Sequence, residues 1–557
     1  MTNAPNPGNE PEPTSGNDQE QASTIGLRRR RRQRLWLFFS VVLLLGVGGG
    51  VTWTWFFIQY QLSPMVEQTV TKLLNRPVKL GKVEGFSLNS LRFGSTQLPA
   101  TPTDSDRASV QALDVAYNPV KLLLNRTLEI ELTLVKPHAY IEQDIKGNWV
   151  NTEIQTLPKG AIDVKLQVVR LRDADVLLVP RSQAGKLEKS VAVKVPSGAA
   201  RFLNNNQLIQ FDLGGQLVSG GNFKIKGESR PSAKETNLAL SGTNLVATEI
   251  GRLIRLPLLL QAGQLDGNLE VQIKPAVPLQ FFGTAALKNV TARVPQLPKA
   301  FANTNGLLRF KGTQVRLEKV NTLFGQIPAQ ANGALDTQKD FNLSAQTQPV
   351  EVKQVLQTFN IPKLPVVASG QVQAALRLTG PLNKPVVTGE FVTTKPAQID
   401  RLNFRTIAGG FSVVDSILGV NNLRATPTVG GIVTGRGQLQ LGQKGRVVFD
   451  AQALNVPGDA IAKIYSLNLP VPIGSVSGST QVVTSLDNPQ NNLRATGSGS
   501  LNVAGGTVTA SNVQVTGKSF SAQVRTSGVQ VERLAMYHRP YGGRFLAPLI
   551  SLALSLP

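Results

Sequence analysis

The chain predicts a mainly β protein: a single N-terminal transmembrane helix, then an elongated, repetitive β-sheet with short connecting helices. Three observations predict it. Apolar and polar residues alternate through most of the 557 residues, which is the period of a half-buried strand. An uncharged apolar run near the N-terminus is long enough to cross a bilayer as a helix. A phrase of strand, tight turn and strand recurs at a fixed spacing, the mark of an extended array.

Composition narrows the function. Hydrophobic content is 41% but aromatics are only 6%, with 51 Gly and 34 Pro, a balance that favours many short strands with frequent turns. Cysteine is absent, so there is no disulfide framework, no thiolate metal site and no cysteine nucleophile. The formal net charge is +23, a size of basic excess that suits anionic partners such as lipid headgroups or nucleic acid. Six of the arginines sit in one run, and the other cations are scattered without aromatic interleaving, as on a solvated surface.

In chain order, residues 1–27 are polar and rich in Asn, Pro, Gly and Ser, and read as a disordered cytoplasmic tail. Residues 28–60 are a basic flank and a transmembrane signal-anchor. Arg28, Arg29, Arg30, Arg31, Arg32 and Arg34 precede an uncharged stretch from Leu35 to Ile58. Leu35, Trp36, Phe38, Leu43, Trp53, Trp55, Phe57 and Ile58 mark the membrane anchor, with tryptophans near both ends as in interfacial belts. The arginines set the topology: N-terminus in the cytoplasm, the bulk of the chain on the far side of an inner (plasma) membrane. Bulky aromatics, rather than a small-residue cleavage site, follow the glycine-rich centre, which argues against a cleaved signal peptide. An exterior location disfavours nucleic acid as a partner.

Residues 61–198 form an N-terminal β region. Ser63-Pro64 reads as a helix start, with Val66, Val70, Leu73 and Leu74 at helical spacing and Asn75-Arg76-Pro77 as the stop. Alternating strands follow. Three units then occupy 199–305, 306–409 and 410–517. Gly267, Gly370 and Gly478 lie 103 and 108 residues apart; Gly283, Gly389 and Gly497 lie 106 and 108 apart; Gly227, Gly333 and Gly437 lie 106 and 104 apart. Helix-like segments at 247–257, 351–362 and 459–470 precede the strand-opening glycines Gly267, Gly370 and Gly478 in turn. Residues 518–557 read as an incomplete fourth unit with an atypical tail, either a truncation or a terminal cap of the array.

The middle copy, Gly370 to Phe391, carries the clearest pattern. Val372, Ala374, Leu376 and Leu378 alternate with polar neighbours and are the candidate groove lining. One short helix per hundred residues cannot cover the apolar face of so long a sheet. Either two sheets cover each other as a sandwich, or one sheet curls into a trough; the pattern admits both.

Catalytic chemistry is sparse. Only His138 and His538 exist, too far apart in sequence for a helical metalloprotease motif, and no phosphate-binding loop occurs. Glu129 and Glu131 share a strand face, as do Asp173 and Asp175 if that segment is extended, but solvated strand faces explain such pairs more simply than acid–base work. The reading is of a protein that is not an enzyme, with no cofactor and no metal site.

Residues 73–94 (LLNRPVKLGKVEGFSLNSLRFG), residues 134–150 (LVKPHAYIEQDIKGNWV) and the repeated GxVxxxLxLTGPLNKPxVxGxF phrase resemble the AsmA-like and TamB family, over roughly residues 35–530. The resemblance implies an inner-membrane protein extending across the periplasm as a long open β-groove, taco-like or solenoid-like. It implies a role in protein secretion and outer-membrane protein assembly with an outer-membrane β-barrel partner of the Omp85 type, TamA. It equally implies phospholipid transport between the membranes along the groove, and the chloroplast inner-envelope members link two translocons. The TamB C-terminal domain that meets the outer-membrane partner is missing from this sequence. Two functions are therefore expected: a membrane-anchored translocation and assembly bridge handling unfolded outer-membrane proteins or, alternatively, a lipid conduit.

Overall fold

The computed structural model describes residues 63–145 and 163–530, short loop stretches in the second range apart, together with 147, 149, 533 and 550–555. The anchor residues Leu35–Ile58, the topology arginines Arg28–Arg34 and His538 lie outside the described residues. Among the described residues no helix is long and apolar enough to cross a membrane.

All 32 described strands join one sheet, and among the described residues no second sheet lies over it. Of the two arrangements that alternation allows, the chain thus adopts the single open sheet. From the 17-residue strand Asp163–Val179 onward it is an antiparallel meander in which consecutive strands pair. Only the short strands Val350–Glu351, Ala368–Ser369 and Ala397–Ile399 interrupt the order. The parallel pairings both fall on Asp163–Val179: Thr127–Val135 docks along its first half and His138–Glu142 along its second. Turn chemistry sets the hairpins. Asn204, Asn205 and Asn206 all take positive φ in one of them, a conformation that asparagine tolerates better than other side chains.

Many strands carry a bulge near their middle. Asn244, Asn289, Asn303, Lys319, Asn422, Asn455 and Asn512 have φ between 48° and 54°, and register shifts accompany them. A bulge bends its strand and frees an N–H from the ladder. Here a side chain on the next strand accepts it: the Asn244 N–H donates to Asp266 Oδ1 (2.6 Å), Asn289 to Asn305 Oδ1 (2.9 Å), Lys319 to Asn332 Oδ1 (2.8 Å) and Asn455 to Ser477 Oγ (3.0 Å). A residue of positive φ also re-phases the alternation, even at Asp173 (φ 55°), where the register with the next strand is kept. Leu171, ahead of Asp173, and Ala174, Val176 and Leu178, after it, enter the same apolar cluster. Asp173 and Asp175 consequently do not share a simple strand face, because the segment between them is not regularly extended.

Five helices punctuate the described sheet: α1 (Ser63–Leu74), α2 (Pro119–Asn125), α3 (Ala247–Leu253), α4 (Val352–Thr358) and α5 (Gly458–Ile464). The first residues of α3, α4 and α5 are 105 and 106 apart, at the segments the sequence marks as helical. α4 opens with a capping box between Glu351 and Gln354. The strand reading of 111–142 overlooks α2. Asn118 caps it by accepting from the N–H of Val120 and Lys121, Pro119 sits in its first turn, and Arg126 ends it in the left-handed region.

α1 packs Val66 and Val70 into the largest buried cluster, with Leu91, Phe93, Val115 and Ile130. Its C-terminal end is fixed by Arg76, which is 7% exposed. Arg76 pairs with Asp104 (3.0 Å) and donates to the carbonyls of Pro99 (3.0 Å) and Asp106 (2.6 Å). Burial holds the Asp106 carboxyl above the usual carboxylate range, although the Glu142 N–H donates to it (2.7 Å).

Candidate functional site

Cross-strand register lines up apolar residues without a break along one face. The first row, one residue per strand, runs Val83, Phe93, Leu113, Leu134, Leu171, Gly198, Leu213, then Ile225, Leu240, Leu269, Gly283, Phe310, Val315, Leu335, Phe341 and Gly380. Two residues along, a parallel row continues past Leu317, Gly333, Leu343 and Leu378 to Val387, Val413, Leu418, Leu439 and Val447. A third carries Ala345, Leu376, Gly389, Phe411, Val420, Gly437, Phe449, Val482, Ala495, Val515 and Phe520. No charged residue stands in these rows. Because side chains alternate between faces, the overlapping rows make one apolar strip from the first strand of the sheet to Ser519–Ser527.

The four sequence-picked lining residues fall in the middle of this strip. Val372, Ala374, Leu376 and Leu378 are half-buried on the strand Gln371–Pro381, while Gln373, Ala375 and Arg377 between them are exposed. Leu376 lies between Ala345 and Gly389, and Leu378 between Leu343 and Val387. Sequence alone finds these four because the strand is regular; the bulged strands hide the equivalent residues.

The recurring glycines have a physical role in the strip. A Cβ added to Gly389 would come within 2.7 Å of the Phe411 ring, and one on Gly227 within 3.0 Å of Phe211. A Cβ on Gly437 would run into Phe449. The phenyl rings therefore lie across the glycines of the neighbouring strand, which keeps the floor of the strip low and its surface apolar.

Cover is uneven along the strip. At its first strands, beneath α1 and α2, Leu91, Phe93 and Val115 are 1% exposed or less. Further on, Ile250 and Leu253 of α3 join Leu171, Leu213 and Phe223 around one buried cluster that includes Val191, Val193 and Leu217. Across the middle of the array Leu376, Leu378, Val387 and Leu439 of these rows are half-buried, while Ala397, Phe404, Ile407 and Ala425 form a buried cluster further along their strands. The strip is closed at one end and accessible along its length.

The opposite face is polar and carries ion pairs: Arg170–Glu131 (2.6 Å), Lys226–Asp212 (3.0 Å), Arg309–Glu318 (3.0 Å) and Arg436–Asp450 (3.2 Å). Hydrogen bonding to Arg309 holds the Glu318 carboxyl low. Bonds from Gln481 and Arg436 do the same for Asp450. Three of the four carboxylates considered for acid–base work are engaged on this face: Glu129 with Lys121 (2.9 Å), Glu131 with Arg170, and Asp175 with His138 (3.5 Å). Among the described residues no group of three or more potential ligands is placed to hold a metal ion.

No protein-family model matches the chain. The chain is 20% identical over 394 residues to Protein TIC236, chloroplastic, of Arabidopsis thaliana, an alignment covering 61% of this chain and 18% of that protein. It is 21% identical over 290 residues to Protein SUBSTANDARD STARCH GRAIN 4, chloroplastic, of Oryza sativa subsp. japonica, covering 45% and 14%. The chain is a distant relative of both. It spans less than a fifth of the length of these curated relatives.

Proposed function

We propose that the chain is a membrane-anchored bridge segment whose apolar strip carries lipid acyl chains between membranes. The observation that carries this reading is the unbroken apolar register from the first strand to Ser519–Ser527. A sandwich would use that whole face for its own core; here, beyond the stretches under α1, α2 and α3, it is left to an occupant. Burying a methylene contributes about 0.8 kcal/mol, so half-covering a chain of about fifteen methylenes contributes about 6 kcal/mol. That is enough to hold a lipid without trapping it. Headgroups would remain in water at the rim. In this reading the protein is not an enzyme, and it sits in an inner (plasma) membrane with its N-terminus cytoplasmic and the sheet on the periplasmic side.

The test is lipid transfer between vesicles by the full chain. Leu376→Glu with Leu378→Glu places two carboxylates on the strip. Losing the burial of a leucine costs about 1.5–3 kcal/mol, and each 1.4 kcal/mol is tenfold, so transfer should fall at least tenfold while the β-sheet circular dichroism is retained. Gln373→Glu, on the exposed face of the same strand, should leave transfer unchanged. Equal transfer by all three proteins would sink the conduit.

The likeness to TIC236 across 61% of the chain favours a second reading. In it the bridge serves translocation and assembly, passing unfolded outer-membrane proteins to an outer-membrane β-barrel partner of the Omp85 type. It predicts that cross-linking from the strip captures polypeptide rather than lipid.

A further inference from the structure

We propose that the end of the sheet formed by the Phe86–Ser90 turn and α2 is a membrane-docking face that rests on the bilayer from which the chain emerges. Large apolar side chains are fully presented there. Leu88 is 86% exposed, Leu124 77%, Val120 59% and Phe86 46%. Val120 and Leu124 are one turn apart and so share a side of α2. The turn lies against the same end: the Tyr117 N–H donates to the Asn89 carbonyl (2.9 Å), and the Tyr117 hydroxyl reaches the Ser87 carbonyl (3.5 Å), one residue ahead of the Asn118 cap. Isolated exposed apolar residues need no explanation, but two leucines, a valine and a phenylalanine at one end of a sheet form a patch.

The occupant follows from where the chain comes from. The uncharged run Leu35–Ile58 ends five residues ahead of Ser63, a span of at most about 18 Å when extended. α1 then leads away from that point to Arg76, which is pinned at Asp104 and Pro99. From there the chain returns through Lys79, paired with Gln97, and Val83, paired with Phe93, to the Phe86 turn. Val66 and Val70 of α1 pack on the cluster that holds Leu91, Val115 and Ile130, the residues beside that turn, so the start of α1 stands toward the same end of the sheet. Cations are placed as an interface requires. Lys121, Arg126 and Lys165 stand at this end; Glu129 and Asp163 pair with Lys121 and Lys165, and Arg126 closes α2 at its tip. Apolar tips flanked by cations suit an interfacial seat on a lipid surface. Docking there holds the long axis of the sheet at a defined angle to the bilayer. This inference rests on the membrane-anchor reading and is independent of what the strip carries.

The chain has no cysteine, so single labels are clean. Leu88→Cys, Leu124→Cys and Gln373→Cys full-length proteins, each bearing an environment-sensitive fluorophore, are incorporated into phosphatidylcholine–phosphatidylglycerol vesicles with and without nitroxide-labelled lipid. Flotation reports the anchor, and quenching reports the patch. Labels at 88 and 124 should lose at least half of their emission to shallow nitroxides, with the label at 373 unaffected. Chains that float with labels 88 and 124 unquenched overturn the docking face while leaving the anchor standing; chains that do not float overturn both. Labels already shielded before vesicles are added show that protein, a second copy or the chain's own N-terminal segment, covers the patch, which equally overturns it.

Discussion

Asn332, Asn305 and Asp266 each accept the N–H that a bulge on the neighbouring strand releases. Without that acceptor the amide loses its partner, at a cost of about 1 kcal/mol. Asn332→Ala should therefore lower stability by that amount, and hydrogen exchange at Lys319 should accelerate selectively. Asp266 adds a pH dependence. Its hydrogen bonds with Lys288 and with the Asn244 N–H hold its carboxyl below the usual carboxylate range. A lowered value in the fold means that its contribution is complete above that range and lost as pH falls through the lowered value. Protection of the Asn244 amide should fall below about pH 4, and Asp266→Asn should remove that acid-dependent step. These residues were not legible in the sequence. Asparagine inside an alternating run reads as a turn, and nothing local tells which strand supplies the acceptor. The same ambiguity hid half of the strip, because each bulge shifts the side-chain alternation by one and breaks the pattern that exposed Val372 to Leu378.

Elements were more legible than their contacts. α1 falls where a capping signal and helical spacing place it, and α3, α4 and α5 fall within one residue of the helix-like segments that end near a proline. α2 was missed although Asn118-Pro119 is a cap followed by a first-turn proline. Its seven residues lie between two strongly alternating strands that dominated the reading. The repeat glycines were visible as a period, but their purpose was not. Gly389 accommodates Phe411, which lies 22 residues later and one strand across, a relation that only register reveals. The helices also differ in effect. α1 and α2 close the strip at its first strands, whereas α3 covers one stretch of it.

At the scale of the molecule, alternation predicted a long sheet but could not choose between a sandwich and a single layer, since both bury one face. The register decides for one open sheet whose apolar face runs its whole length, and that continuity underlies the expected loss of transfer on placing glutamates at 376 and 378. Continuity also makes the sheet a ruler. Strands pair almost entirely with their sequence neighbours, and the chain from α4 to the residue ahead of α5 starts and ends at equivalent points of the pattern. Its six long strands add about 29 Å at ~4.8 Å each. Inserting a second copy of residues 352–457 ahead of Gly458 should lengthen the particle by that amount in small-angle scattering without rebuilding either end. A gap between two membranes would then be matched by counting units rather than by reshaping the fold.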